Sequence, residues 1–214
     1  MFLKRFSSLA LVAAIVIAVA GLGESALCAE AATQEQNLAL LKEIEADLAK
    51  KPDNTLFQLQ HAEVLGLLKR YDEQIAEANV VIKKYPKLRD AYLIRSDGQT
   101  NLKMYAEAIV SLDMAFKLAA PTPKLLLAKV RCLMNSERYS EAIAALNKIV
   151  EAEPSNATAF DRRSLCYFSL YGPCEQALRD MEKVVSLRPS DASAKEMVAR
   201  LKRELTLKTS RPAR

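Results

Sequence analysis

Apolar positions recur along this chain at helical spacing and break off at regular intervals. Over residues 35–50, Leu40, Leu41, Ile44 and Leu48 share one face of an amphipathic helix, which Lys51-Pro52-Asp53-Asn54 ends. Leu56, Phe57, Leu59, Val64, Leu65 and Leu68 predict the next helix. Lys69-Arg70 makes a turn, and Ile75, Ala78, Val81 and Ile82 line a second helix that Pro86 stops. The same two-helix pattern returns with Tyr92, Leu93, Ile94 and Leu102, then Tyr105, Ala108, Ile109, Leu112, Ala115, Phe116 and Leu118. It returns with Leu125, Leu126, Leu127, Val130 and Leu133, then Tyr139, Ala142, Ile143, Leu146, Ile149 and Val150. A last copy has Phe160, Leu165, Tyr167 and Phe168, then Ala177, Leu178, Met181, Val184 and Leu187; its turn carries one extra residue. Ser190 or Asp191 caps a final helix over 190–207, with Met197, Val198, Leu201 and Leu205 on its apolar side.

The copies are in register. Tyr71, Tyr105 and Tyr139 lie 34 residues apart, and Glu73, Glu107 and Glu141 follow each of them at the same offset. A fixed period of this length means stacked units, none of which buries its apolar face alone. Only five Gly are present and no β-branched alternating run, which excludes a strand-rich fold. The expected architecture is all-α: a solenoid of antiparallel helix pairs. Residues 32–53 form a half repeat, 54–86, 87–121, 122–154 and 155–189 four full repeats, 190–207 a closing helix and 208–214 a disordered tail.

The first 31 residues differ. Lys4 and Arg5 precede an uncharged run from Phe6 to Gly23, followed by Glu24, Ser25 and Ala29-Glu30-Ala31. Basic, apolar and Ala-x-Ala regions in this order are the pattern of a secretory signal peptide. The rival reading is an uncleaved anchor, since the 18-residue run is near the lower limit for a membrane span. Either places residues 32–214 outside the cytoplasm, periplasmic or secreted. Leu27 before Cys28 argues against a lipoprotein. Cys132 and Cys166, 34 apart in apolar settings, read as buried thiols; the sharper alternative is a Cys166–Cys174 bridge across one hairpin. The net charge of +5 gathers at the chain ends, and no basic stripe with interleaved aromatics marks a nucleic-acid groove.

Period, helix pairs and closing Pro resemble the tetratricopeptide repeat. The residues that carry the resemblance are Tyr92, Ser96, Tyr105, Ala108, Ala115 and Pro121; Tyr139, Ala142 and Pro154; and Phe160, Ser164, Tyr167, Ala177 and Pro189. The first repeat fits through Ala62, Leu65, Tyr71 and Pro86, but Gln74 stands where Ala is expected. The resemblance implies a right-handed superhelical solenoid with a concave groove lined by first helices, and with it a partner protein. On helical phase, Leu59, Leu93 and Leu127 face that groove with Leu67, Met134 and Phe168; Glu63, Asp97, Arg131, Asp161 and Arg162 lie among them. An apolar row with scattered charge suits an amphipathic helix or extended peptide. The Lys, Asn and Arg places through which some members grip a C-terminal carboxylate are occupied here by residues such as Leu59, Glu63 and Asp97, which excludes that mode. A further row precedes the small residue of each first helix: His61, Arg95, Lys129 and Arg163. The resemblance implies that such a residue faces an acid on the paired helix, which predicts an Arg163–Asp180 pair and a His61–Glu77 contact.

Candidate chemistry adds little. One His cannot make a two-His metal site, no Gly-rich phosphate cradle exists, and His61 lies two repeats from Cys132. Asn156-Ala157-Thr158 is a glycosylation acceptor in a eukaryotic host and otherwise a helix start. The expected function is non-catalytic protein binding without cofactor or nucleic acid. The alternative is a structural subunit that self-associates through the groove or end helix.

Overall fold

The computed structural model describes residues 24–209, with side chains placed for residues 32–208. The apolar run at 6–23, the basis of the signal or anchor reading, lies outside the described residues, as do residues 210–214 of the expected tail. Among the described residues there are ten helices and no strand. They are α1 (Glu24–Lys50), α2 (Thr55–Leu67), α3 (Tyr71–Lys84), α4 (Arg89–Asn101), α5 (Tyr105–Leu118), α6 (Pro123–Asn135), α7 (Tyr139–Ala152), α8 (Ala157–Tyr171), α9 (Glu175–Leu187) and α10 (Ala192–Thr209). Helix α1 begins at Glu24 rather than at 35, because Ala26, Ala29, Ala31 and Ala32 favour helix and neither Gly nor Pro interrupts 24–50. Helix α10 likewise continues through 208 and 209, which the sequence assigns to the tail. The chain divides into two compact units, Met1–Glu77 and Ala78–Arg214, with the boundary inside α3.

In the first unit α1 packs on α2 through Leu41, Ile44, Val64 and Leu65, flanked by Leu48 and Leu68. Asn54 starts α2: its side-chain oxygen accepts from the amides of Leu56 and Phe57 at 3.0 and 3.4 Å, satisfying donors that have no partner within the helix. Gln74 is buried although a small residue is expected at its place. The space comes from Gly66, where an added Cβ would stand 2.6 Å from the Gln74 Nε2.

In the second unit consecutive helices pack as hairpins and then hairpin on hairpin. One core joins α5 to α8 through Ile109, Leu112, Val130, Leu133, Leu146 and Ile149. A second gathers Met181 and Val184 of α9 with Leu201 of α10 and the rings of Phe160, Tyr167 and Phe168. The closing helix is therefore fastened by burial of Leu201, and by a Lys202–Glu182 ion pair of 2.8 Å. Thr122, Asn156 and Asp191 cap α6, α8 and α10 by accepting from Leu125, Ala159 and Ala194 amides. Asp191, rather than Ser190, is the cap of the last helix.

The hairpin turns repeat in detail. Lys69 (φ 62°) in the first unit, and Lys103 (φ 62°) and Glu137 (φ 57°) in the second, hold the left-handed conformation just past a first helix. The following amide then reaches back five residues, as in Met104 N to Gln99 O (2.8 Å) and Arg138 N to Leu133 O (2.9 Å), which satisfies carbonyls at the helix end. In the fourth repeat the extra residue shifts this place to Gly172, with φ 67° and ψ −153°, a region that belongs to glycine.

The expected buried thiols are found at Cys132 and Cys166, and the Cys166–Cys174 bridge is absent: Cys132, Cys166 and Cys174 are free. Cys166 belongs to the core of α5–α8, whereas Cys174 packs with the core of α9 and α10, so the two sulfurs serve different sides of the hairpin. Burial pushes the Cys166 thiol up to about 11. The Cys132 Sγ lies 3.3 Å from the Thr100 hydroxyl.

The basic row is a ladder between helices. Arg163 donates through Nε and Nη2 to both Asp180 carboxylate oxygens at 2.7 Å, and through Nη1 to Asn147 Oδ1 at 2.8 Å. The Asp180 carboxylate raises the Arg163 pKa further above its ordinary value. Arg95 donates to Ser111 Oγ at 2.9 Å and to Asn79 Oδ1 at 3.0 Å, and Ser111 in turn donates to Gln99 at 2.6 Å. Lys129 pairs with Asp113 on the preceding helix. In the first unit His61 stands 3.7 Å from Glu77 and 3.8 Å from Glu45, an ion-pair distance when the imidazole is protonated, and its Nδ1 makes no hydrogen bond. Each basic side chain thus touches the helix 16 residues before it, and three also reach the paired helix after it.

Candidate protein-binding surfaces

The first unit contains a formed cleft of about 400 Å³ between α1 and α2. Two matched stripes build it. On α1, Leu40, Glu43, Ile44 and Asp47 stand at i, i+3, i+4 and i+7; on α2, Gln60, Glu63, Val64 and Leu67 do the same, with Phe57 at their head. Ile44 and Val64 are buried and make the floor. Leu40 and Leu67 stay open to solvent, Leu67 at 63%. Glu43, Asp47 and Glu63 supply three carboxylates, and no cation is among the lining residues. The Asp47 carboxylate accepts from Lys50 Nζ at 3.1 Å, an exposed pair. A smaller hollow of about 100 Å³ shares Leu67 and is lined by polar Thr33, Gln34 and Asn37 with Lys69.

Of the residues assigned to a groove from sequence, this cleft brings together Glu63 and Leu67. Leu59, on the same helix, is half-buried and does not line it. The sequence reading passed over the α1 half of the cleft. From sequence, Leu40 and Ile44 stand out only as part of an amphipathic face. The signal available was the pairing of two stripes of the same step on adjacent helices.

In the second unit Leu93 on α4, and Leu127 and Met134 on α6, are half-buried and packed against the core of α5–α8, while Asp97 and Arg131 are exposed. Arg162 on α8 donates to the Leu127 carbonyl at 3.3 Å, which brings those two assigned residues together. Asp161 is half-buried; desolvation holds its carboxyl above the usual range against the opposing Arg188 and Arg162 charges. Phe168 is engaged by the closing helix: it packs into the core of α9 and α10, and the Arg200 guanidinium stands 5.6 Å from its ring centroid. Among the described residues no His, Cys, Asp and Glu cluster could hold a metal ion, and no helix is long and apolar enough to cross a membrane.

Repeated helix hairpins, left-handed turns at a fixed period and small residues buried where helices meet define the fold as an all-α, tetratricopeptide-like solenoid. Among solved structures the chain is similar to a crystal structure of MamA, at 16% identity over 75% of this chain and 94% of that one, with a TM-score of 0.67. It is similar also to MamA of Desulfovibrio magneticus RS-1 (18% identity, 72% and 86% covered, TM-score 0.65). A thermophilic tetratricopeptide protein of Thermus thermophilus, TTC0263, aligns over 80% of this chain and 98% of its own, at 15% identity and a TM-score of 0.52. No protein-family model matches the chain, and no curated protein matches it in sequence.

Proposed function

We propose that the chain is a non-catalytic scaffold, exported from the cytoplasm, that binds a peptide or helix of a partner protein against the first helices of its repeats. The observation that supports this most is the α1–α2 cleft, where Leu40, Phe57 and Leu67 surround a hollow of about 400 Å³ instead of closing on one another. That volume accommodates a few side chains of a docked segment. The mixture of half-open Leu93, Leu127 and Met134 with exposed Asp97 and Arg131 supports a similar use of the second unit. Export rests on the basic, apolar and Ala-x-Ala order of the first 31 residues.

Affinity capture of the full chain from its native host tests the reading. Leu67→Asp, and separately Leu93→Asp with Leu127→Asp, should lose the captured partner while circular dichroism stays unchanged. Recovery of the same partner by every variant would overturn groove binding. Cell fractionation should find the chain outside the cytoplasm, and its retention inside would overturn export.

A further inference from the structure

The α1–α2 cleft is apolar at its floor and acidic at its rim, and that combination selects a class of partner. We infer that it takes a basic amphipathic segment of another protein, with apolar side chains seated between Leu40, Phe57 and Leu67 and Lys or Arg side chains against Glu43 and Glu63. The assignment rests on the scaffold reading above and adds the chemistry of the ligand.

Two features carry it, against the charge of the chain as a whole. The lining holds three carboxylates and no cation; Lys50 outside the lining pairs with Asp47, so Glu43 and Glu63 supply the repulsion that an acidic segment would meet at the rim. The whole chain carries +5, so its distant field repels a basic ligand; attraction has to come from the cleft itself. The polarity is also specified. The carboxylates surround the larger hollow, and the smaller hollow beyond Leu67 has Lys69 and polar Gln34 and Asn37, so the basic residues of the ligand belong at the Glu43–Glu63 end.

The test uses the full chain and two labelled synthetic helical peptides, one with leucines at i, i+4 and i+7 among lysines, the other with every lysine replaced by glutamate. Fluorescence anisotropy should show the lysine peptide binding roughly tenfold or more tighter than its glutamate twin, a difference typical of complementary against like charge. Glu43→Lys with Glu63→Lys should reverse the preference. Leu67→Asp should weaken the lysine peptide, and Glu107→Lys with Glu151→Lys, exposed acids outside the cleft, should leave it unchanged. Equal weakening by the Glu107 and Glu151 changes would show non-specific polycation binding and overturn the assignment. Tighter binding of the glutamate peptide, still sensitive to Leu67→Asp, would overturn the ligand class while leaving the scaffold reading standing. Absence of binding by either peptide would overturn the cleft as a docking site, and host capture with the Leu93 and Leu127 variants then judges the scaffold separately. Concentration-dependent dimerisation abolished by Leu67→Asp would place a second copy in the cleft and overturn the assignment too.

Discussion

Arg163 is held from two sides, by Asp180 on the paired helix and by Asn147 on the helix before it. Both members of the ion pair are largely shielded, with 16% and 8% of the side chain exposed. Arg163→Ala therefore leaves Asp180 desolvated without a counter-charge and should cost about 3 kcal/mol. The check is a lower urea midpoint with an unchanged slope. Arg163→Met together with Asp180→Leu should regain most of it, because an apolar pair carries no desolvation penalty. Gly66 and Gln74 make a second coupled site. Gly66→Ala forces its Cβ against the buried Gln74 amide and should cost about 1 kcal/mol net, overpacking outweighing the gain in helix propensity. In a Gln74→Ala background the same change should stabilise, and the sign reversal in a double-mutant cycle of thermal melts is the observable. The pairing of Arg163 with Asp180 was legible in the sequence because both lie in one hairpin, whose geometry the repeat dictates. The contacts to Glu45, Asn79, Asp113 and Asn147 were not, although these residues too lie 34 apart, since they depend on how one hairpin stacks on the next. Gln74 looked like a departure from the pattern, and only its proximity to Gly66 shows what compensates it.

At the level of elements, helix ends are set by local chemistry that the sequence states openly: Asn54, Thr122, Asn156 and Asp191 as caps, and Pro123 within the first turn of α6. The start of α1 was less legible, because a signal-like pattern and an Ala-rich helix read alike over 24–34. The turns give a directional prediction. Gly172 has nothing within 4 Å of an added Cβ, so Gly172→Ala is opposed by backbone conformation alone and should cost about 1–3 kcal/mol. Lys103 holds a left-handed conformation with a Cβ, so Lys103→Gly should stabilise by up to about 1 kcal/mol. Denaturant unfolding of the two variants should move in opposite directions; movement in the same direction would mean the turns do not carry the strain assigned to them.

For the molecule as a whole, the repeat register made the helix order and most of the buried positions readable, since a residue buried in one repeat has a counterpart 34 residues on. The cleft proposed for binding was only half readable. Phase along α2 named Glu63 and Leu67, which line the cleft, while its opposite wall comes from α1, and Phe168 is taken by α10 through burial and the Arg200 guanidinium. Charge follows the same division of scales: the chain is basic, while the cleft is acidic. The proposal that this cleft holds a segment of another protein is read out by site-specific photo-crosslinking in the native host. A photoreactive residue is placed at Leu67, and at Val110 as a control of similar exposure on a second helix (63% and 60%). A discrete heavier adduct should form from position 67, be absent from position 110 and be lost when Glu43→Lys and Glu63→Lys are added. No adduct at 67, or the same adduct from both positions, would contradict it.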